Sequence, residues 1–476
     1  MKTPFHAQHL IDGVWLGQPD QSRMNPAHSG EVVSTFPVGE IDIVDEAIGA
    51  ASLAQKGWAN TPAPMRGEIL YAASILLNAR TEEAALLLCR EEGKTLSEAR
   101  DEVIRSVRML KFYGGESWRM GGLTLPSMTP KTHLYTSREP LGIVAVITPW
   151  NFPIAIPVWK IAPALMAGNC VVFKPASYTP GIAVLLAQCL VEAGLPKGVL
   201  NLIHGSGKIV GEALATDARI DAITFTGSTE VGKKVNLLGA ARMARVQLEL
   251  GGKNAMLVLP DADPAFAADL CIRSAFGVTG QACTATSRVV VLKENRKSVI
   301  EALRIQSSKL TIGDGANIET HMGPVIDKSQ LMSNTNFVTQ AVKDGASLSI
   351  GGNSRELFME PTILIDVEPN SQIAQQEVFG PVLSVITVDS IDEAIDTVNG
   401  TNFGLAAGVV TNDLSVAMEF VTRSKVGVVK INRTTTGTDI NAPYGGVKDS
   451  SNDSFREQGV TAVDFFTRVK TAYVGY

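Results

Sequence analysis

The sequence predicts an α/β protein with two doubly wound sheets. From residue 141 onward, short and continuously apolar segments alternate with longer segments of helical periodicity, which is typical of buried parallel strands joined by helices. A second series of the same kind begins after residue 251. Between the N-terminal helices and the first series, residues 121–140 alternate in polarity and contain three prolines, which indicates an extended arm.

The chain before this arm is predicted to be strands and turns followed by helices. Residues 10–40 are strand and turn in character. Apolar residues at helical spacing then predict four helices, at 42–58, 63–79, 81–92 and 96–118. The fourth helix is amphipathic and rich in arginine, and its arginines are interpreted as a solvated face.

The two α/β series supply the remaining elements. In the first series we predict strands at 142–147, 170–174, 199–205 and 222–227, and helices at about 156–167, 180–194, 207–216 and 230–238. In the second series we predict strands near 255–259, 287–293, 383–388 and 427–431, and helices near 263–279 and 296–309.

A Gly-Gly turn near residue 250 predicts the boundary between two domains. Residues 1–120 and 141–250 are assigned to the first domain and residues 251–450 to the second. The arm at 121–140 is expected to work with residues 460–476, because exposed edge strands need a partner. A ligand site is expected between the domains, where such sites form preferentially.

Composition limits the classes of protein that the chain can belong to. Its 476 residues are too many for one ordinary core, and 45% hydrophobic with 19% charged residues describes a soluble globular protein. A net charge of −6 without a basic stripe argues against a nucleic-acid binder. Five cysteines without a CxxC pair favour free thiols in the cytoplasm, with no metal site, and the N-terminus lacks a signal-peptide pattern.

Two segments carry the residues best suited to chemistry. Cys283 lies in FGVTGQACTATSR (276–288), where small and hydroxylated neighbours leave room for a substrate. Taken alone, it would be interpreted as a buried small hydrophobe, because free cysteine is among the most buried residue types. Glu249 lies in QLELGGKN (247–254), in an apolar surround beside a Gly-Gly turn. Such a carboxylate can have a raised pKa and act as a general base.

These segments resemble the signatures of the aldehyde dehydrogenase superfamily, as LELGGK (248–253) and GQAC (280–283), and the resemblance covers nearly the whole chain. It implies the aldehyde dehydrogenase fold, with two doubly wound α/β domains and a small β arm for oligomerisation. The first domain would bind a dinucleotide, and the second would carry the nucleophilic cysteine. The implied reaction oxidises an aldehyde to a carboxylic acid and reduces NAD or NADP.

The resemblance assigns three catalytic roles that make chemical sense. The Cys283 thiolate would add to the aldehyde, because a carbonyl does not release hydride readily until a nucleophile has added. Asn151, in PWNFP (149–153), would donate to the resulting oxyanion together with the backbone N–H of Cys283. Glu249 would then activate water against the thioester. By itself, Asn151 would be read as an ordinary loop asparagine.

Two glycine-bearing loops are candidates for holding the cofactor. HGSGKIVG (204–211) contains Gly207 and Gly211, and alone it could be a plain β–α turn. In FTGSTEVG (225–232), Gly227 permits close backbone approach, and Ser228 begins a helix whose N–H groups can face an anion. In the superfamily this second loop lies at the cofactor pyrophosphate.

Further cofactor contacts follow from the resemblance. Lys174, at the end of an apolar strand, would hold the adenosine ribose, and Trp150 would line the same cleft next to the strand end at Ile147. Glu377, in EVFGPV (377–382), would hold the nicotinamide ribose with Phe379 beside the ring. Read without the motif, Glu377 is a surface carboxylate.

The sequence favours NADP, or use of both cofactors, over strict use of NAD. Relatives restricted to NAD commonly have Glu at the position of Ser177, where it would repel a 2′-phosphate. Ser177 removes that charge and offers a donor, while Lys174 and Lys208 are candidate cations. Alternatively, Ser177 caps the following helix.

The expected substrate is a short, polar aldehyde. By resemblance, the tunnel walls include Phe152, Ile156, Trp159, Ala282 and Thr284, with the loop INRTTTGTDINAPYGG (431–446) that ends near Tyr444. This loop carries hydroxyls and amides, which are costly in a pocket unless the ligand pairs with them. The tunnel residues proposed from this loop are Arg433, Thr436, Thr438 and Tyr444.

The run 432–459 resembles the branch of the superfamily that oxidises α-ketoglutarate semialdehyde (2,5-dioxopentanoate). Arg433 and Arg108 are candidates for binding its carboxylate, although either could be a structural ion-pair residue. Succinate semialdehyde or a broad range of aldehydes is the alternative substrate.

Other functions stay open at this point. A coenzyme-A-acylating dehydrogenase is disfavoured, because members of that type lack the glutamate base that Glu249 would provide. A non-catalytic binding protein would lack the nucleophile or the base, and neither is missing. The arm and the C-terminal strand at Val463–Tyr476 predict a homodimer or homotetramer.

Overall fold

The N-terminal part of the protein is a small strand region followed by four long helices. The computed structural model describes residues 4–476. The strands are β1 (Phe5–His6), β2 (His9–Ile11), β3 (Val14–Leu16), β4 (Gln21–Asn25) and β5 (His28–Phe36). The helices are α1 (Ile41–Asn60), α2 (Ala63–Ala79), α3 (Thr81–Glu92) and α4 (Leu96–Glu116). All four begin within one residue of their predicted positions, which confirms the helical interpretation of this region.

The first α/β series forms a seven-stranded sheet in the order β12-β11-β8-β9-β10-β2-β3. After the arm strands β6 (Thr124–Leu125) and β7 (Thr132–Pro140), its elements are β8 (Ile143–Ile147), α5 (Ala155–Met166), β9 (Cys170–Lys174), α6 (Pro180–Glu192), β10 (Leu200–Leu202), α7 (Glu212–Thr216), β11 (Ala222–Thr226), α8 (Thr229–Ala240) and β12 (Arg245–Glu249). Strands β8 to β12 are parallel to their neighbours, and β2 adds to β10 in antiparallel fashion. The helix predicted at 207–216 begins as a π-helical turn over Gly207–Gly211 and continues as α7.

The second series forms another seven-stranded sheet, in the order β15-β18-β19-β14-β13-β21-β22. Its elements and the short segments that follow are β13 (Ala255–Val258), α9 (Pro264–Phe276), β14 (Arg288–Leu292), α10 (Arg296–Ser307), α11 (Lys328–Lys343), β15 (Ser347–Ile350), β16 (Ser354–Arg355), β17 (Phe358–Met359), β18 (Thr362–Ile365), α12 (Gln372–Gln375), β19 (Val382–Val388), α13 (Ile391–Asn399), β20 (Phe403–Gly404), β21 (Ala406–Val410), α14 (Leu414–Arg423), β22 (Val428–Ile431), β23 (Val447–Lys448), α15 (Ala462–Phe466) and β24 (Thr467–Gly475). The strand β15 is antiparallel to β18, and the other pairs are parallel. The domain limits assigned from the sequence stay a prediction.

Both faces of the second sheet are covered, which explains its apolar strands. Alternate residues of one strand enter different cores: Leu257 packs on one face, and Met256 and Val258 pack on the other. All three are fully buried. A parallel sheet with helices on both faces requires such continuous apolar runs. Within residues 4–476, no helix combines the length and the apolar character that crossing a bilayer would require.

The arm is a three-stranded antiparallel sheet in the order β24-β7-β6. Strand β24 pairs with β7 along its whole length, from Thr467 opposite Pro140 to Gly475 opposite Thr132. The strand predicted over Val463–Tyr476 is wrong at its start, because Ala462–Phe466 is the helix α15. Its side chains are buried in the core of the first sheet, where the rings of Phe465 and Phe466 lie 4.8 Å apart.

The helix predicted at 263–279 ends early, and this shapes the segment before Cys283. Helix α9 stops at Phe276, and a turn over Gly277–Gly280 follows. Val278 and Thr279 have left-handed backbone angles (φ 51° and 57°), which end a helix. Gly280 has φ 68°, and a Cβ there would lie 2.2 Å from the carbonyl oxygen of Gly380, so only glycine fits.

Candidate active site

A cleft lies where the first sheet, the second sheet and the connection between them meet. It encloses a cavity of about 260 Å³ whose lining includes Trp150, Asn151, Ser228, Cys283, Glu377 and Phe379. Trp150 and Asn151 follow β8, Ser228 precedes α8, and the other residues come from loops of the second series. Open α/β sheets bind ligands at the carboxyl ends of their parallel strands, so the cleft lies where a ligand site is expected. The structure therefore brings together residues that the sequence separates by more than two hundred positions.

Cys283 is partly accessible and is held by its backbone. Its carbonyl accepts a hydrogen bond from Asn254 Nδ2 at 2.8 Å, and Asn254 Nδ2 also binds Ala285. The thiol Sγ lies 3.2 Å from the hydroxyl of Tyr444. Burial raises the pKa of Cys283 to about 12, the carboxylates around it add to this effect, and the Tyr444 hydroxyl opposes it. The side chain is therefore a thiol at neutral pH before any ligand arrives.

Asn151 reaches from the first sheet to the cysteine loop. Its Nδ2 donates to the carbonyl of Gln281 at 2.9 Å, and its Oδ1 accepts from the N–H of Phe152 at 3.1 Å. These two bonds orient the amide, and the second hydrogen of Nδ2 is left for a ligand. Asn151 lines the same cavity as Cys283.

The Asn151 loop is held by two buried charges of the α3–α4 region. Lys94 Nζ donates to the carbonyl of Asn151 at 2.6 Å and to Glu102 at 2.7 Å, and it lies 4.4 Å from the centre of the Phe152 ring. Glu102 accepts from the N–H groups of Ile154 and Ala155, both at 3.0 Å. Neither residue was predicted from the sequence, because an isolated Lys or Glu in a helical pattern is typical of solvated surface.

The cysteine loop is held by the same helix end. Glu98 Oε2 accepts from the Thr95 N–H in a capping box, while Glu98 Oε1 accepts from the N–H of Val278 at 2.7 Å. Val278 belongs to the left-handed turn that leads to Cys283. The Thr95-x-x-Glu98 spacing is a recognisable capping signature, so the cap was detectable in the sequence, although its second partner was not.

Glu249 ends β12 in a buried position. Among the described residues, neither of its oxygens has a hydrogen-bond partner, and the nearby N–H of Gly446 favours the charged form. Burial, and then the negative charge of Glu457, hold the pKa of Glu249 well above its usual range, and the nearby cations Lys160 and Arg456 counteract them. A Cβ on residue 445 would lie 2.5 Å from Glu249 Oε1, so Gly445 leaves this space open.

Glu457 and Lys160 form a buried ion pair behind Glu249, and no motif in the sequence indicated this pair. Lys160 Nζ binds Glu457 Oε1 and also donates to Thr224 at 2.8 Å. Both side chains of the pair are excluded from solvent. A second carboxyl group beside Glu249 offers a place for a proton, because two neighbouring carboxylates resist being charged together.

One end of the cleft has aromatic rings and a carboxylate. The rings of Trp150 and Phe379 meet edge to face with centres 5.4 Å apart. Glu377 Oε1 accepts from the N–H of Gly252 at 3.0 Å, and burial raises the pKa of Glu377 to about 7. A Cβ at Gly251 would lie 2.2 Å from Glu377 Oε2, which accounts for the Gly-Gly turn.

A second cavity of about 290 Å³ lies between the π-helical turn and α8. Its walls are mainly apolar and include Ile147, Gly207, Gly211, Phe225 and Val235. Gly227 and Ser228 line the first cavity at the start of α8, and Ser228 makes no capping bond with its side chain. An apolar cavity next to a free helix N-terminus fits a flat ring joined to an anionic group.

Lys174 and Ser177 lie on the strand and loop that precede α6. The amine of Lys174 is almost fully buried and donates only to the carbonyl of Pro175, at 2.9 Å; burial lowers its pKa to about 8. Its remaining N–H groups are available to a ligand. Ser177 is exposed, and the N-cap of α6 is Thr179, so Ser177 does not cap that helix.

The predicted tunnel residues divide into two groups. Ile156 lines the cleft, Phe152 packs beside Lys94, and the ring of Trp159 lies 5.8 Å from that of Tyr444. By contrast, Arg433 and Arg108 are exposed, and neither guanidinium forms a hydrogen bond or ion pair with the residues that the structure describes. The structure provides no contact that would bring either arginine to Cys283.

Threonine hydroxyls of the 431–446 loop form hydrogen bonds to other groups of the protein. Thr434 donates to the carbonyl of Thr436, and Thr435 donates to that of Thr284 at 2.7 Å. Thr438 accepts a hydrogen bond from Arg105 at 2.7 Å. Ala282 is buried beside Cys283. The hydroxyl groups of these three threonines therefore form hydrogen bonds inside the protein, whereas the sequence analysis assigned Thr436 and Thr438 to the substrate tunnel.

Comparison with known proteins agrees with this arrangement. The profile of the aldehyde dehydrogenase family matches residues 16–472. The chain belongs to the aldehyde dehydrogenase family. It is therefore an NAD(P)-dependent oxidoreductase that acts on aldehydes, with the fold that the sequence predicted.

Two of the similar enzymes are named for one semialdehyde, since 2,5-dioxopentanoate and α-ketoglutarate semialdehyde are the same compound. It is 44% identical over 458 residues to "2,5-dioxopentanoate dehydrogenase" of Saccharolobus solfataricus, covering 95% of this chain and 96% of that one. It is 43% identical over 481 residues to "Alpha-ketoglutarate semialdehyde dehydrogenase" of Haloferax volcanii, covering 99% of each. A solved betaine aldehyde dehydrogenase of Staphylococcus aureus with NAD+ superposes with a TM-score of 0.95 at 32% identity, covering 98% of this chain and 95% of that one.

We expect Glu98→Ala to lower kcat more than its loss of stability explains. The substitution removes the capping box, which typically costs about 1 kcal/mol, and also frees the Val278 N–H, so the cysteine loop loses its support. Asp413→Ala is the matched control, because Asp413 caps α14 through Ser415 and Val416. Thermal unfolding and steady-state kinetics of both variants check this. Equal kcat values in the two variants at similar stability would show that Glu98 is only a cap.

Proposed function

We propose that this enzyme oxidises 2,5-dioxopentanoate to the corresponding dicarboxylic acid by means of Asn151, Glu249 and Cys283. The observation that carries the proposal is the convergence of Asn151 and Cys283 in one cavity, with Glu249 buried in the same region. The names of the two similar enzymes support the choice of substrate. Succinate semialdehyde is the alternative, because it has the same two functional groups on a shorter chain.

The first step joins Cys283 to the substrate. The Cys283 thiol gives its proton to water in the cleft, the thiolate sulfur bonds to the aldehyde carbon, the C=O π bond breaks, and the carbonyl oxygen becomes an oxyanion. Asn151 Nδ2 and the backbone N–H of Cys283 are the donors for this oxyanion, and such donors are typically worth about 10²–10³ in rate. A nicotinamide cofactor, when bound, supplies the acceptor for the hydride that leaves the former aldehyde carbon.

The second step releases the acid from the resulting thioester. Glu249 takes a proton from water, which attacks the thioester carbon, and the sulfur of Cys283 leaves. The open oxygens of Glu249 and its high pKa suit this role once the group is ionised. Glu457 and Lys160 lie behind it as a route by which the proton can leave the cleft. Hydrolysis rather than transfer to coenzyme A follows from this base.

We infer that the residues predicted from the sequence hold the cofactor. Glu377 and Phe379 would contact the nicotinamide end, Gly227 and Ser228 the pyrophosphate, and Lys174 the adenosine ribose. Ile147, Trp150, Gly207 and Gly211 would line the remaining surface. The support is the pair of cavities, one apolar and one beside the start of α8, together with the spare donors of Lys174.

Cys283→Ala should abolish turnover while leaving cofactor binding nearly unchanged, because the sulfur forms the only covalent bond to the substrate. Glu249→Gln should allow one rapid burst of reduced cofactor per active site and then stall, because water is no longer activated. Stopped-flow absorbance of the reduced nicotinamide distinguishes these outcomes. Coenzyme A added to Glu249→Gln is the control for acyl transfer. Near-normal oxidation by Cys283→Ala is incompatible with the mechanism.

We also propose that the enzyme prefers NADP to NAD, or uses both cofactors. It is supported by the exposed Ser177 and by Lys174, since neither position holds a carboxylate that would repel a 2′-phosphate. Lys208 lies in the lining of the second cavity and adds a cation.

Ser177→Glu should lower kcat/KM for NADP by about 10- to 100-fold and change that for NAD much less, because the new charge meets only the phosphate. Ser177→Ala is the control and should keep the preference within about threefold, since it introduces no charge. Kinetics of the three proteins with both cofactors check this. A wild-type preference for NAD of tenfold or more, about 1.4 kcal/mol, contradicts the proposal.

We further propose that the enzyme is a cytoplasmic homodimer or homotetramer joined through its arm. Val469 and Tyr473 share one face of β24, and their side chains are 62% and 70% exposed. Strand β24 is also an edge strand with unpaired backbone groups on its outer side, which favours a second chain beside it.

Light scattering at micromolar concentration should therefore give a mass two or four times the 50.6 kDa of one chain. Replacing both Val469 and Tyr473 with Lys should shift the mass towards the monomer, because it places charge in an apolar contact. Replacing Leu53 and Met332 with Lys is the control, since these exposed side chains lie on α1 and α11. A monomeric wild-type protein contradicts the proposal.

A further inference from the structure

We propose that Arg105 binds the carboxylate of the substrate and thereby selects carboxylated aldehydes. This inference rests on the proposed function, since it assumes that the substrate carries a carboxylate at the end opposite to its aldehyde. It replaces Arg433 and Arg108, which the structure leaves exposed.

The guanidinium of Arg105 is fixed in place by neutral groups. Its Nη2 donates to Thr438 Oγ1 at 2.7 Å and to Gln458 Oε1 at 2.8 Å, and its Nη1 donates to the carbonyl of Thr438. These contacts come from the 431–446 loop and from the segment that follows it. They hold the planar guanidinium in one orientation. A fixed guanidinium suits a carboxylate-binding site, because the carboxylate is planar as well.

Arg105 has no anionic partner within the part of the chain that the structure describes. No carboxylate lies within 4.0 Å of its guanidinium, although the side chain is largely withdrawn from water, and burial lowers its pKa. The carboxylates near enough to affect its charge are Asp439 and Glu102. Glu102 is already bound to Lys94 and to two backbone N–H groups, and Asp439 is exposed.

A withdrawn positive charge that lacks a counter-ion is costly, and an incoming carboxylate would remove this cost. Arg105 also keeps donors for such a ligand. An arginine has five N–H groups, and its Nε–H and one Nη1–H have no partner among the described residues. By contrast, Arg80 and Arg100 each already have a glutamate as counter-ion.

The position of Arg105 suits a short substrate. Arg105 donates to Gln458, and the neighbouring Glu457 exchanges two backbone hydrogen bonds with Tyr444, both at 2.7 Å. The hydroxyl of Tyr444 lies 3.2 Å from Cys283 Sγ. A tyrosine side chain and a five-carbon dicarbonyl chain have similar lengths. A substrate with its carboxylate at Arg105 can therefore reach along Tyr444 to place its aldehyde at Cys283.

The test compares Arg105→Met with Arg108→Met on two aldehydes. The substrates are 2,5-dioxopentanoate and pentanal, which have the same number of carbons but differ in the carboxylate and keto groups. We expect Arg105→Met to lower kcat/KM for 2,5-dioxopentanoate by about 10- to 100-fold, mainly through KM, and to change that for pentanal less than threefold. Arg108→Met, one helical turn away and exposed, should change neither.

Arg105→Lys adds a graded readout, because it keeps the charge but loses the planar fork, and it should recover part of the lost kcat/KM. Equal losses on both aldehydes, or no loss on either, would overturn the role of Arg105; pentanal turnover also reports that the variant is folded. If Arg105→Met does not fold, Arg105→Lys must show the selective loss, or the inference fails. A wild-type enzyme that prefers pentanal refutes the proposed function instead.

Discussion

The geometry of the proposed catalytic site depends on three charged residues at and just before the start of α4. Lys94 and Glu102 hold the backbone of the Asn151 loop, and Glu98 holds the N–H of Val278 in the cysteine loop. The start of α4 and the residues just before it therefore contact both the Asn151 loop and the cysteine loop. Neither loop has regular secondary structure at the reacting residue, so their mutual distance would otherwise be poorly determined. Buried ion pairs stabilise little by themselves, but removing one partner leaves a charge that is costly to bury.

A second constraint is the excess of acidic groups around the nucleophile. Burial is the main cause of the raised pKa of Cys283, and the negative charges of Glu377, Glu249 and Glu457 raise it further. The enzyme without its ligands thus keeps its sulfur as a thiol, which is less reactive than the thiolate. The positive nicotinamide ring of an oxidised cofactor would oppose this effect, so its arrival would favour the reactive form. The same burial makes Glu249 a stronger base, which suits its proposed role in hydrolysis.

Close backbone approaches explain why glycines surround the site. Gly251 leaves room for Glu377, Gly280 allows the cysteine loop to pass Gly380, and Gly445 leaves the space in front of Glu249. A methyl group at any of these positions would meet an atom within 2.5 Å. The glycines of the signature motifs are therefore required where two chain segments pass too close together for a Cβ atom.

The sequence by itself determined the fold class, the family and most elements of the first series; of the second series it predicted four strands and two helices. These rest on local periodicity and on motifs such as LELGGK and GQAC, whose information is contained in neighbouring residues. It also pointed to Asn151 and Cys283, which line one cavity, and to Glu249, whose charge acts on Cys283; their catalytic roles stay a prediction.

Only the tertiary structure showed which charged residues are buried or held by hydrogen bonds and which are exposed. Arg105 and Arg108 look alike on an amphipathic helix, yet one is held against the 431–446 loop and the other is exposed. Lys94, Lys160 and Glu457 are buried by segments far away in the chain. The helix α15 interrupts a strand-like run because its apolar side chains enter the first core. Burial and pairing depend on contacts between distant residues, and local pattern does not contain that information.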